Sequence, residues 1–435
     1  MQILFVSAPF GPFFREAAKA LGDDGHSVWR IAWEGGDFVE TPAPHRIRFH
    51  RSEDDEETFV RRIIREKKIS IIVTFNDTSR RNRLAIKIAS ELGIQRLVLE
   101  NGYLRPFWIT VDRSGVNGFS DLPRDPSYYT SQNLPPPSFL KFQSSMRCHV
   151  RHVIWHYFWS CALSPFLRFE ADYHGDHIWR QARHYFGEYI WRISHSEEEK
   201  LTRLKKIHEE ASGPIFVVLL QKPGDSQLKV HSSFPRNRAF LVDVLQSFSA
   251  NAPSDALLVI KQHPYDYGVE RCPRFVEKQA ERLGIFGRVV YFRKTSIDRI
   301  YDQSTAVITV NSTGGLTALM RDLPVICMGN AVYDMPKLTF QGALDEFWSN
   351  PVPPVRESVD AFCAYLQKYS QVNGGFHSGQ GIELAVAGLA RIVRSNEAIP
   401  HRIAVSTYQF ENAFVESGLG MAMASHTYPT ISQSK

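Results

Sequence analysis

Glu100 follows the apolar run Gln95–Leu99 and opens the segment Glu100-Asn101-Gly102-Tyr103-Leu104-Arg105-Pro106. Such a run reads as a buried parallel strand, and open α/β sheets hold their ligands at the carboxyl ends of strands. A carboxylate placed there can act as a general base or as a nucleophile at an anomeric carbon, with Asn101 and Arg105 hydrogen-bonding a charged substrate. The same spacing also allows Glu100 a structural pairing with Arg105 or a role in capping the loop.

Lys261-Gln262-His263-Pro264 closes a second apolar run in the same way. Pro264 keeps His263 extended, so its imidazole is aimed from a strand end, either toward a phosphate or into a structural bond. Asn311-Ser312-Thr313-Gly314-Gly315 joins a strand at 306–310 to a helix at 314–321. Its hydroxyls and N–H groups suit a phosphate at the positive helix end, or a plain N-cap. Gln221, Lys222, Ser226 and Gln227 follow a strand at 215–220 and read as contacts to a base, ribose or sugar, or as a solvated loop. There is no GxxxxGK[ST], and the first turn, SAPFGPF, lacks GxGxxG, which argues against P-loop and dinucleotide chemistry.

These residues need elements to place them. Strands at 2–8, 26–33, 69–75 and 95–99 alternate with helices near 13–22, 56–67 and 79–92, the pattern of a doubly wound sheet. The Pro-, Gly- and Ser-rich stretch 101–146 reads as loop, and 147–192 as helical. A charged helix follows at 196–210. A second alternation starts at 215 and ends in helices at 357–370 and 380–394. The expected fold is α/β, with two Rossmann-like domains facing across a cleft. The expected divisions are an acceptor domain at 1–146, a helical connecting segment at 147–212, a donor domain at 213–400 and an uncommitted tail at 401–435.

The helical middle holds four of the eight tryptophans, with six Arg and six His between 147 and 192. Its Trp and Phe are expected to pack between the domains with the charges facing water. The alternative is an amphipathic surface on anionic lipid. Length excludes a span, because the longest mostly apolar stretch, 153–167, is 15 residues and a bilayer needs about 20. MQILFVSAPF reads as a first strand and not a signal peptide.

The 435 residues suffice for two or three domains without staples. A formal charge of +5 without a basic tract argues against nucleic acid as a partner. Five widely spaced cysteines, with no CxxC pair, point to a reducing, cytoplasmic compartment and no zinc site. No DxD run or Cys/His cluster points to another metal.

Taken in order, Glu100–Trp108 with Gly115-Val116-Asn117, Leu220-Gln221 with Asp225-Ser226-Gln227, His263-Pro264 and Asn311–Gly314 resemble the capsule polysaccharide biosynthesis/export family over roughly residues 1–345. The likeness is to its KpsS-type branch of β-Kdo glycosyltransferases, related to KpsC-type enzymes. The resemblance implies GT-B architecture and transfer of Kdo from CMP-Kdo to a lysophosphatidylglycerol-type lipid at the cytoplasmic face of the inner membrane, with contacts to capsule assembly and export proteins. It makes Glu100 the catalytic carboxylate, with Asn101 where KpsC-type enzymes usually have Asp. His263, with Pro264, and Ser312 and Thr313 would bind the CMP phosphate. Gln221, Lys222, Ser226, Gln227, Asn311 and Gly314 would complete the donor site, and Gly102 and Arg105 would meet substrate. Lys222 or Arg105 would take the Kdo carboxylate.

One phosphate leaves with CMP, which a helix terminus and a histidine can stabilise without metal or cofactor. Retention is favoured by the resemblance and would need a second carboxylate, for which Asp172 and Asp176 are conceivable. The competing readings are a transferase using CMP-sialic acid or a UDP-sugar, and a non-catalytic glycolipid-binding component of capsule export.

Overall fold

The computed structural model describes residues 1–49, 55–136, 138–143, 146–167, 187–188, 190–191, 194–210, 213–224, 228, 230–266 and 268–395. Among the described residues, twelve strands form two sheets. β1 (Gln2–Phe5), β2 (Ser27–Ala32), β3 (Arg46–Arg48), β4 (Ile71–Phe75), β5 (Gln95–Asn101) and β6 (Trp108–Asp112) precede β7 (Ile215–Leu219), β8 (Leu257–Lys261), β9 (Val289–Phe292), β10 (Ala306–Thr309), β11 (Val325–Cys327) and β12 (Gln371–Asn373). The first sheet has the order β12-β6-β5-β4-β1-β2-β3 and the second β11-β10-β7-β8-β9.

β1 to β5 are mutually parallel, as is the whole second sheet. The sequences of β1, β4, β7 and β8 are near-continuous apolar runs, as strands buried on both faces require, while the edge strand β3 is Arg-Ile-Arg. In the first sheet one face packs on the helices Phe13–Asp23 and Gly379–Ser395, the other on Glu56–Lys67 and Arg80–Glu91. Side chains set where these helices begin. Asp55 accepts from Thr58 N–H and Ser79 from Asn82 N–H at the two N-caps. The two parallel α/β lobes make the architecture GT-B-like.

Two expectations change here. The stretch 101–146 is not all loop: β6 runs antiparallel to β5, and Pro126–Thr130 is helical. The segment 213–400 does not stay in one lobe. β12 pairs antiparallel with β6, and Phe376, Ile382, Ala385 and Leu389 enter the core of the first sheet. The chain returns because Val372 and the apolar stripe of Gly379–Ser395 complete that core, where solvent would otherwise meet Phe13 and Val111. The tail 401–435 lies outside the described residues.

Candidate active site

Gly102 places Glu100. A Cβ at Gly102 would lie 2.1 Å from the Trp108 carbonyl oxygen, so only glycine lets β5 turn back into β6, and its N–H donates to that same oxygen at 3.1 Å. Glu100 is left at the carboxyl end of β5, opposite Thr110 and half-buried. Its Oε1 accepts from the Asn101 N–H at 2.8 Å and from Asn101 Nδ2 at 3.2 Å. Arg105, exposed in the β5–β6 loop, donates from Nε to the Gly102 carbonyl at 3.2 Å.

The carboxylate beside Glu100 is one that the sequence reading passed over. Asp77 is 2% exposed, and its Oδ2 accepts the Val116 N–H at 2.6 Å. Burial, helped by the charges of Glu100 and Asp112, pushes the Asp77 carboxyl up to about 7. Asp112 is also buried and accepts from Ser114 N–H and Ser114 Oγ at 2.8 and 2.7 Å. Asp77 and Asp112 therefore build the loop after β6, and Glu100 is the more accessible acid of the three. Asp77 follows β4 in Asn76-Asp77-Thr78-Ser79, so the strand-end rule that picked out Glu100 also applies to it.

A pH dependence follows. Between about pH 4 and 7 the folded protein keeps a proton on Asp77 that the unfolded chain has released, so this contribution to stability falls as pH rises and is gone above 7. Asp77→Asn retains an oxygen acceptor for Val116 N–H and cannot ionise. Its stability is expected to match wild type near pH 4 and exceed it by about 2–4 kcal/mol at pH 8, read as denaturant midpoints across that range.

On the second lobe, Gln221 and Asn311 lie two residues beyond β7 and β10. They are buried and bonded to each other, Nε2 of Gln221 donating to Asn311 Oδ1. Asn237 holds Gln221 from the other side, accepting its N–H at 3.0 Å and donating to its carbonyl at 2.9 Å. These two residues brace the strand ends that carry Lys222 and Ser312. Ser312 caps the helix Thr313–Leu319, its Oγ accepting Gly314 N–H at 3.2 Å, and its carbonyl accepts the Tyr333 hydroxyl. Ser312, Thr313 and Gly314 are half-buried. Ser226 and Gln227 lie outside the described residues, as do Asp172 and Asp176.

His263 and the exposed Pro264 sit in the turn after β8. His263 Nδ1 accepts the Tyr265 N–H at 3.0 Å, which leaves the proton of a neutral ring on Nε2 as a donor. The turn is stiffened by Gln262, whose Nε2 donates to the Asp266 carbonyl at 3.0 Å, and by Lys261, whose Nζ donates to the Gln262 carbonyl at 2.7 Å.

The two lobes meet around Tyr265. Burial raises the Tyr265 phenol, and the Arg105 guanidinium opposes that shift. His149, on the helix Met146–Leu167, lies edge-to-face on Tyr265 with ring centroids 5.5 Å apart. It shares a 2.8 Å hydrogen bond with His377, just after β12. Burial lowers His149, and the charge of Lys222 lowers it further. Burial and the neighbouring imidazoles of His149 and His152 press His377 down to about 3, so it stays neutral. His149, Tyr265 and His377 thus meet in one region between the lobes. Sequence gave no signal for His377, because its place depends on the return of the chain to the first sheet.

Residues 70–377 match the family described as capsule polysaccharide biosynthesis protein. The chain is 32% identical over 397 residues to the capsule polysaccharide modification protein LipB of Neisseria meningitidis serogroup A, with 87% of this chain and 92% of that one covered. It is 30% identical over 381 residues to the capsule polysaccharide export protein KpsS of Escherichia coli, with 86% and 97% covered. Among solved structures it is similar to the β-Kdo 2,7 transferase of Thermosulfurimonas dismutans KpsC, at 15% identity and a TM-score of 0.41, over 90% of this chain and 99% of that one. By the extent of the family match and the identity to LipB and KpsS, this chain belongs to the capsule polysaccharide biosynthesis protein family.

Proposed function

We propose that this protein is a glycosyltransferase that moves Kdo from CMP-Kdo to a lysophosphatidylglycerol-type lipid, starting the β-Kdo linker of a capsular polysaccharide at the cytoplasmic face of the inner membrane. The observation that carries the reading is the meeting of the lobes beside the His263 turn, where His149 lies edge-to-face on Tyr265 and shares a hydrogen bond with His377, just after the first-sheet strand β12. An acid on one lobe and a phosphate-binding surface on the other are what displacement at an anomeric carbon requires. His263 Nε2–H and the hydroxyls of Ser312 and Thr313 take up charge on the departing CMP phosphate, so no metal is needed. Lys222 and Arg105 hold the Kdo carboxylate.

Retention assigns Glu100 the nucleophile's part. Its oxygen bonds to the anomeric carbon as the bond to CMP breaks, and the acceptor hydroxyl, passing its proton to a phosphate oxygen of the CMP on that face in place of a second carboxylate, then displaces Glu100. Purified protein incubated with CMP-Kdo and a lysophosphatidylglycerol analogue is expected to release CMP, give a product heavier by one Kdo, and keep its rate in chelator. His263→Ala is expected to weaken CMP binding about tenfold by calorimetry. No CMP release with that donor, or undiminished CMP affinity in the variant, would remove the donor assignment.

A further inference from the structure

The helix Met146–Leu167 has two opposed faces. At 100° per residue, His149, His152, His156 and Ser160 share one side, and Arg147, Val150, Arg151, Ile154, Trp155, Phe158 and Cys161 centre on the other. The histidine side is docked. His149 meets His377 and Tyr265, a Cβ at Gly11 would strike the His152 ring at 2.6 Å, and Ser160 Oγ accepts the Gly36 N–H at 3.0 Å. The other side was expected to pack between the domains, and it does not. Val150, Ile154, Trp155 and Phe158 are 46, 64, 50 and 57% exposed, and with Arg147 and Arg151 they line a shallow groove of about 630 Å³. Trp155 and Phe158 stay outside because the close approach of Gly35 and Gly36 turns the small and polar residues inward.

We propose that this face is a docking surface for an anionic phospholipid bilayer. Four adjacent apolar side chains, two of them aromatic, would enter the acyl boundary while Arg147 and Arg151 meet phosphates. Charge selects this occupant. The helix has two arginines and no Asp or Glu. A second copy meeting this face with its own would set arginine against arginine with no acid to pair them. The helix lies on the membrane and does not cross it: among the described residues none is long and apolar enough to span. The proposal deepens the lipid-acceptor reading and rests on it for one consequence, that an acceptor headgroup would reach the cleft along the same helix whose opposite side presents His149.

The test is partitioning of the full-length protein onto vesicles without any sugar nucleotide. The protein is expected to float with phosphatidylglycerol-containing vesicles, in a salt-sensitive manner, and not with pure phosphatidylcholine. Ile154→Ser with Phe158→Ser is expected to weaken the partition tenfold or more, and Arg147→Gln with Arg151→Gln about tenfold. All four side chains are exposed, and circular dichroism is expected to match wild type. A polarity-sensitive dye on Cys161, an exposed free thiol on this face, is expected to shift blue with the anionic vesicles alone. Glu100→Gln protein is expected to bind vesicles like wild type, so failure of transfer and failure of docking are read separately. Wild-type protein that binds neither vesicle, stripe variants that partition normally, or variants that abolish only a concentration-dependent dimer would overturn the proposal.

Discussion

Glu100→Gln is expected to cut the turnover of Kdo transfer at least about a thousandfold while leaving the melting temperature within two or three degrees of wild type. The size of the effect follows from the role, because a neutral amide oxygen is a far poorer nucleophile than a carboxylate, and without the first displacement there is no glycosyl-enzyme for the second. The preserved fold follows from the contacts. A glutamine oxygen still accepts the Asn101 N–H that Glu100 Oε1 now accepts at 2.8 Å, and the side chain is only half-buried. Donor affinity is expected to hold, since the CMP phosphate is assigned to the second lobe. Single-turnover transfer with CMP-Kdo, beside CMP calorimetry, separates chemistry from binding. Retention of more than a tenth of wild-type turnover would remove Glu100 from the mechanism.

Much of this placement was legible because parallel strands covered on both faces must be continuous apolar runs, as Ile71–Phe75 and Leu257–Lys261 are, and the acids and bases follow where such runs stop. The fold has Glu100 at the end of β5 and His263 just after β8, as the runs indicate, and the same rule puts Asp77 just after β4. It gives nothing for β12, whose three residues carry no pattern and whose pairing is set by β6 and by the helix that follows. His149 and His377 are 228 positions apart, and only that return brings their rings together. The composition of 147–167 likewise fits a buried helix or a surface one. What decides is the pair Gly35-Gly36, since a Cβ at Gly36 would lie 2.5 Å from the His156 ring, so the close approach fixes which side of the helix faces the lobe.

That close approach rests on a buried charge cluster, where the second large effect is expected. Arg30, on β2 and 1% exposed, donates from Nη2 to Asp37 Oδ1 and lies 3.5 Å from Glu40 Oε2. Glu40 Oε1 accepts the Gly11 N–H at 3.1 Å and stands 3.3 Å from His156 Nδ1. Burial and the neighbouring Asp37 raise Glu34 to about 7, while burial of His156 is outweighed by Glu40, Asp37 and Glu34, which raise it. The described Asp, Glu and His side chains include this one set, Asp37, Glu40 and His156, close enough to share a metal ion, but Arg30 supplies the compensating cation there. Arg30→Met keeps the volume and leaves three carboxylates facing one imidazole, at an expected cost of about 3–5 kcal/mol. The sign of its pH dependence is fixed. With one cation fewer in the cluster Glu34, already raised to about 7, holds its proton more tightly, so the defect is small near pH 5 and grows as pH rises past 7. Arg30→Lys restores the charge without the planar fork and is expected to recover part of the loss. Because His156 and His149 lie on one helix, the methionine variant should also lower turnover when assayed below its unfolding midpoint. Denaturant midpoints at pH 5 and 8 decide the matter: a loss under 1 kcal/mol at pH 8, or one that deepens on acidification, would show that Arg30 is not what holds that helix to the first lobe.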